Sequence, residues 1–411
     1  MSLLEVRTET ARFEFDSATS KVHLWQLVDS AGQPHVRLVG TLTFTLPIGP
    51  LTQVNLANGD KSIESPSLTF RVSADASLIV HHRPAYSQTH TLSYRFPDAT
   101  WAREANSNRT RQYSDPFGGL VRQEDNTADY YIYGVLPSRV QKRSLLYGSA
   151  ARPHHVSIQS AASLAAAIDT ANPRLTDWQT RNFGVIELFE PLYTNGPTPV
   201  VVGGQQVYQF TDEASVISLI TRAHALGFLV IAYILPNNFD NRTSTLFTWM
   251  DTFQSTYNLD GWYFDGFGFG AWLDNYRAAR EAASRYSYNF AHVSVDPWGS
   301  TNGIIAAPLL SWMDGTLQGE TGALAEAITS PNDPFIYAST RFTGCKAAWK
   351  RATAGTPNVT AAQIQADMAA YGIVRTEFSD TLATVYDTNF APVYNAARSA
   401  WQATHISDPN S

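Results

Sequence analysis

The stretch Leu259-Asp260-Gly261-Trp262-Tyr263-Phe264-Asp265-Gly266 puts a carboxylate at the end of a short apolar run. Trp-Tyr-Phe has high strand propensity and is too apolar to be solvated on both faces, so Asp265 is expected at the lip of a buried sheet. Gly266, Gly268 and Gly270 let the following backbone turn sharply, and Phe267, Phe269 and Trp272 supply flat apolar surface beside the acid. Rings beside a carboxylate suit a sugar. A plainer role stays open, in which Asp265 caps the helix beginning near Trp272 or closes a turn.

Other polar groups fall at the ends of further predicted strands: Glu187 and Glu190, Asn237, Asp296, Asp314 and Glu320, and Arg341. Breaking a glycosidic bond takes two carboxyl groups, one to attack or stabilise the anomeric carbon and one to protonate the leaving oxygen. Asp265 is the expected nucleophile. The acid is expected from Glu320, which follows a glycine in a loop, or from Asp314, within a strand; Glu320 also reads as a first-turn acid of a helix over 323–328. The expected sugar-contacting set is Glu187, Glu190, Tyr193, Tyr233, Asn237, Trp262, Phe267, Asp296, Trp298 and Arg341. For Trp298, a platform and a core position are both open.

Two kinds of pattern must position these groups. To about residue 100 the chain alternates apolar and polar residues, as in 11–16, 22–28, 36–46, 67–72, 77–81 and 89–96, which predicts an antiparallel β-sandwich. The polar stretch 103–119, with Asp115-Pro116, is the expected junction, dividing the chain into 1–118 and 119–411. Strands and helices then alternate. Strands are predicted over 130–136, 183–189, 228–235, 261–264, 291–295, 311–316, 335–338 and 371–375. Between them, Asp212 and Glu213 open a helix with Val216, Ile217, Ile220, Ala223 and Leu226 on one face, ended by Gly227. Thr360 and Gln363 make a capping box. The fold class expected is therefore multidomain, β followed by α/β: a β-sandwich and then a (β/α)8 TIM barrel, with the chemistry at the C-terminal ends of its strands.

Composition narrows the partners. Basic residues number 29 against 36 acidic, with no basic stripe, which argues against nucleic acid. The longest apolar run, 228–235, is far short of the roughly 20 residues that span a bilayer, and residues 1–10 show no basic start before an apolar stretch. A soluble protein, cytoplasmic or associated with a phage virion, is the expectation. The lone Cys345 excludes an internal disulfide framework. Adjacent histidines at 81–82 and 154–155 point to opposite faces of a strand and make no chelate, so no metal is expected. No Gly-x-Ser-x-Gly elbow and no phosphate loop occur, and no cofactor is expected.

The segment from Leu259 to Gly266 resembles the fourth-strand segment of retaining glycoside hydrolase barrels of the alpha-galactosidase, alpha-glucosidase and dextranase groups. The resemblance implies that Asp265 is the nucleophile, that the acid follows the fifth or sixth strand, and that a sandwich precedes the barrel. Tyr263 and Phe264 stand where alpha-galactosidase-type strands often carry a lysine. It also implies hydrolysis of an oligo- or polysaccharide without a cofactor. Two other readings remain: a non-catalytic carbohydrate-binding, surface or virion structural protein on a barrel scaffold, and a metal-dependent barrel hydrolase, disfavoured by the lack of a His-x-His at a strand end.

Overall fold

Period-two patterning builds the N-terminal part. Ala11–Asp16 and Lys21–Val28 bury alternate side chains, enclosing Phe13, Phe15, Val22 and Leu24. They belong to a five-stranded antiparallel sheet ordered Leu3–Arg7, Ala11–Asp16, Lys21–Val28, Pro34–Phe44 and His90–Tyr94. A second antiparallel sheet runs Trp101–Ala105, Thr110–Asp115, Gly118–Glu124, Tyr130–Leu136, Ser77–His82, Leu68–Val72, Lys61–Glu64 and Thr52–Asn55. The two sheets share one core, in which Phe70 meets Phe15 and Phe44 edge-on at 5.1 and 5.5 Å.

This computed structural model describes residues 3–29, 32–83, 89–94, 101–105, 110–115, 118–124, 130–138, 152, 154–171, 174–239, 244–266, 272–293, 307–318, 346–351, 360–362, 364–366, 375–379, 383 and 391–404.

Eight parallel strands close a barrel in the order His154–Ile158, Phe183–Leu188, Leu229–Ile234, Gly261–Phe264, Tyr288–Val293, Gly315–Gln318, Lys346–Arg351 and Arg375–Ser379, the last pairing with the first. Helices Ala161–Ile168, Arg174–Thr180, Glu213–Ala225, Ser244–Tyr257 and Trp272–Arg285 connect the first five strands. A parallel sheet needs such crossovers, and they cover its outer face. In the helix Glu213–Ala225 the Asp212 side chain caps the Ser215 N–H, and Val216, Leu219, Ile220 and Ala223 are buried. Ile217, expected on that inner face, is 47% exposed, and Leu219 takes its place.

Several expectations need correction. Tyr130–Leu136 is no barrel strand: it pairs antiparallel with Ser77–His81 and with Gly119–Glu124, so the first barrel position falls to His154–Ile158. The polar stretch 103–119 is not a linker, because Trp101–Ala105 and Thr110–Asp115 extend the second sheet; that sheet runs past 118 to Leu136. The sixth strand begins at Gly315, four residues later than predicted, and the eighth covers 375–379 rather than 371–375. The seventh place is filled by Lys346–Arg351, while 335–338 lies outside the described residues, as does Gln363.

The fourth strand depends on its glycine. A Cβ on Gly261 would sit 1.6 Å from the Tyr288 carbonyl oxygen, so only glycine lets the fourth and fifth strands approach here. Sheet and barrel are joined by buried polar contacts. Tyr276 donates to both oxygens of Asp75 at 3.0 Å, Trp312 Nε1 donates to Asp75 at 3.2 Å, and Arg280 forks onto the fully buried Asp60.

Candidate active site

Asp265 follows the last residue of the fourth strand, and its backbone N–H donates to the Ile234 carbonyl at 2.8 Å, continuing the sheet by one bond. Gly266 takes a positive φ of 60°, and its N–H turns back to donate to Asp265 Oδ1 at 2.7 Å. Neighbouring strands complete the grip. Tyr233, from the third strand, donates its hydroxyl to Oδ2 at 2.8 Å, and His292 Nδ1, from the fifth, lies 2.8 Å from Oδ1. The side chain stays 28% exposed, so it is held firmly and still open to a ligand.

Burial pushes the Asp265 carboxyl upward. The hydrogen bond and charge of His292, then the bonds from Tyr233 and the Gly266 N–H, outweigh burial and hold it below the ordinary carboxylate range. Asp265 is therefore ionised near neutral pH, and His292 carries its proton on Nδ1.

Beneath it the barrel interior is lined by rings. Phe189 packs 4.9 Å from Tyr263 and 5.7 Å from Tyr233, and Tyr263 stacks on Phe290 at 5.6 Å. Tyr263 is fully buried and its phenol is driven well above its usual pKa, first by burial and then by the charges of Glu377, Glu187 and Asp265. Three acidic side chains thus act on one neutral phenol inside the barrel. Deeper still, Glu187 Oε1 meets His155 Nδ1 at 2.8 Å with both side chains fully enclosed, and Tyr288 Oη lies 3.3 Å from His155 Nε2.

The predicted residues divide. Asp265, Tyr233, Glu190 and Asn237 gather at the C-terminal mouth. Glu190 opens the turn after the second strand and, behind burial and Asp265, raises the Tyr233 phenol. Asn237 Nδ2 donates to the Gly266 carbonyl at 3.2 Å, and its buried Oδ1 accepts no hydrogen bond among the described residues. Glu187 lies in the barrel interior on His155 rather than at the rim.

Three expectations fail on placement. Asp314 precedes the sixth strand, where its Oδ2 accepts the Asn289 N–H at 2.7 Å. Because the strands are parallel, that is the opposite mouth from Asp265, and Asp314 cannot serve as its partner acid. Tyr193 is buried against Tyr208 and Phe210 and donates to the Tyr233 carbonyl at 2.7 Å, a packing role. Trp262 faces the helix layer, 5.4 Å from Trp249 and 5.7 Å from Phe253. Phe267, Asp296, Trp298, Glu320 and Arg341 lie outside the described residues.

Sequence reasoning missed Phe189, Tyr263, His155, His292 and Glu377. For His292 the signal was a polar group at an alternate position of a largely apolar strand, Asn289-Phe290-Ala291-His292-Val293, whose inward face carries it. His154 and His155 do point to opposite faces. His154 bonds Thr376 and packs on Phe183 and Tyr394, and burial, with Arg398 and His155, lowers its pKa to about 3.

Fold and site together define an eight-stranded α/β barrel with an ionised carboxylate among aromatic rings at its C-terminal mouth. No family model matches the chain, and no curated protein does. Among solved structures it is similar to a maltogenic alpha-amylase from Thermotoga neapolitana, at 10% identity and a TM-score of 0.34 over 56% of this chain and 67% of that one. A fungal endo-beta-N-acetylglucosaminidase of glycosyl hydrolase family 18 aligns at 9% identity and a TM-score of 0.40, over 58% and 97% of the chains. A chitinase from Bacteroides thetaiotaomicron aligns at 10% and 0.39, over 62% and 98%. None of these three is an alpha-galactosidase, alpha-glucosidase or dextranase. Among the described residues no helix is long and apolar enough to cross a membrane.

Proposed function

We propose that the chain is a glycoside hydrolase of oligo- or polysaccharides, a β-sandwich up to Leu136 followed by a (β/α)8 barrel from His154. Asp265 is its nucleophile in a two-carboxylate retaining mechanism. The observation that carries this reading is the Asp265 carboxylate itself, ionised, oriented by three donors and exposed at the mouth beside Phe189 and Tyr233. The proton donor is a second carboxyl, which retention requires at about 5–5.5 Å from Asp265; the candidates are Glu190, at the mouth, and Glu320, from the sequence expectation.

A panel of glycans with product analysis tests the activity. Asp265→Asn should abolish turnover while leaving glycan binding intact; unchanged turnover removes the nucleophile assignment. Saturable binding without product at any enzyme concentration would instead favour the non-catalytic carbohydrate-binding reading. The donor is identified separately. Glu190→Gln and Glu320→Gln are compared on a natural glycan and on an aryl glycoside whose leaving group needs no protonation, and the donor is the one whose loss spares only the aryl substrate.

A further inference from the structure

A second cavity, of about 830 Å³, opens where the N-terminal sheet meets the helix Trp272–Arg285. Arg71, Arg277, Arg280 and Arg285 line it together with Phe247 and Trp312. The four guanidinium groups are not equally occupied. Arg280 spends its fork on Asp60 and Ser73, and Arg285 is bound to Glu281 and Asp251. Arg71 gives only its Nε to Asp60. Arg277 has an exposed 3.6 Å pairing with Asp274 and lies 5.7 Å from the Tyr130 ring centre, with no hydrogen bond to a described residue.

Asp60, Asp251, Asp274 and Glu281 balance the formal charge, so the attraction of this cavity comes from unspent donors. Among the described residues neither Nη group of Arg71 makes a hydrogen bond, and Arg277 has only the long, exposed pairing of its Nη1 with Asp274. Planar forks of this kind bind carboxylate, sulfate or phosphate oxygens two at a time. The volume falls in the range of about 300–1,000 Å³ for small-molecule sites, far more than an inorganic ion fills. Trp312, half-buried with the Arg280 guanidinium 5.2 Å from its ring centre, adds a flat apolar surface suited to an organic body.

We propose that this cavity binds an acidic small molecule, gripped at its oxyanion by Arg71 and Arg277 and packed at its organic part against Trp312. The site stands apart from Asp265 and does not depend on the glycosidase reading.

The test is calorimetric titration of the full chain with a uronic-acid oligosaccharide, a sulfated oligosaccharide and a sugar phosphate, with inorganic sulfate and phosphate alongside. At least one organic acid should bind saturably and more tightly than either inorganic ion, and which one binds identifies the oxyanion. Arg71→Gln combined with Arg277→Gln should weaken it tenfold or more, and Asp265→Asn should leave it unchanged. Arg277→Gln alone disturbs no buried partner, so a folded Arg277→Gln protein with undiminished affinity overturns the assignment. Failure of all three organic probes, or equal binding of the inorganic ions, does so as well.

Discussion

His292 Nδ1 sits 2.8 Å from Asp265 Oδ1, joining the fifth barrel strand to the end of the fourth. The imidazole is nearly enclosed, at 5% exposure, whereas the carboxylate is 28% exposed, so the histidine is the fixed partner and the acid the one presented to solvent. Their pairing, with Tyr233 and the Gly266 N–H, turns a burial that would neutralise Asp265 into a site that keeps it charged.

Removing the imidazole should therefore move the titration of Asp265. With its folded pKa depressed, Asp265 contributes stability that is present above its unfolded value and lost as pH falls through the folded one. In His292→Ala the acid limb of the pH–rate profile should shift upward, toward or past the ordinary carboxylate value. A limb at the wild-type position would show that His292 does not control the ionisation.

Tyr233→Phe keeps the ring and its packing on Phe189 but deletes the donor to Oδ2. The Tyr193 bond goes to the Tyr233 backbone carbonyl and survives. A loosely held carboxylate should cost about tenfold to a hundredfold in kcat, the scale of a small misplacement of a reacting group. KM should change little, and steady-state kinetics on whichever glycan the panel identifies would check both.

Gly261→Ala places a methyl carbon against the Tyr288 carbonyl, which is backbone and cannot swing away. The fourth and fifth strands would have to part, at a cost of about 3 kcal/mol or more by the usual scale of overpacking. Urea denaturation should show it as a lower midpoint, and a variant as stable as the parent would mean that the strands are less closely apposed.

How much of this was legible follows from which forces each residue obeys. The helix Glu213–Ala225 was readable because its cap and its apolar face are local, and Asp265 because an acid closing an apolar run has few places to go. The first barrel strand was not. His154–Ile158 looks too polar for a barrel, because His155 and Ser157 are satisfied by Glu187 and the Phe378 carbonyl on the two neighbouring strands, contacts about 30 and more than 200 residues away in sequence. Tyr130–Leu136 has the better local pattern and was claimed by the edge of Ser77–His82 instead. Asp314 failed through register. Starting the sixth strand four residues early turned a group at its entrance into one near its exit.

The joint between sheet and barrel carries its own pH dependence. Asp75 lies in the turn between Leu68–Val72 and Ser77–His82 and is fully buried, and burial raises its carboxyl to about 6 against the bonds from Ser77 and Tyr276 and the charge of Arg280. An acid raised on folding favours the folded state most at low pH. Its contribution is complete below the unfolded value near 4 and is lost as pH rises through about 6, a swing of about 3 kcal/mol at 1.4 kcal/mol per unit. Arg280, facing it from the helix, is held charged by Asp60 and adds no slope in this window. Asp75→Asn retains an acceptor for Tyr276 and Trp312 but cannot ionise. Denaturation midpoints taken from pH 4.5 to 7.5 should fall less steeply with rising pH in the variant than in the parent, and parallel curves would mean that Asp75 does not titrate in this range.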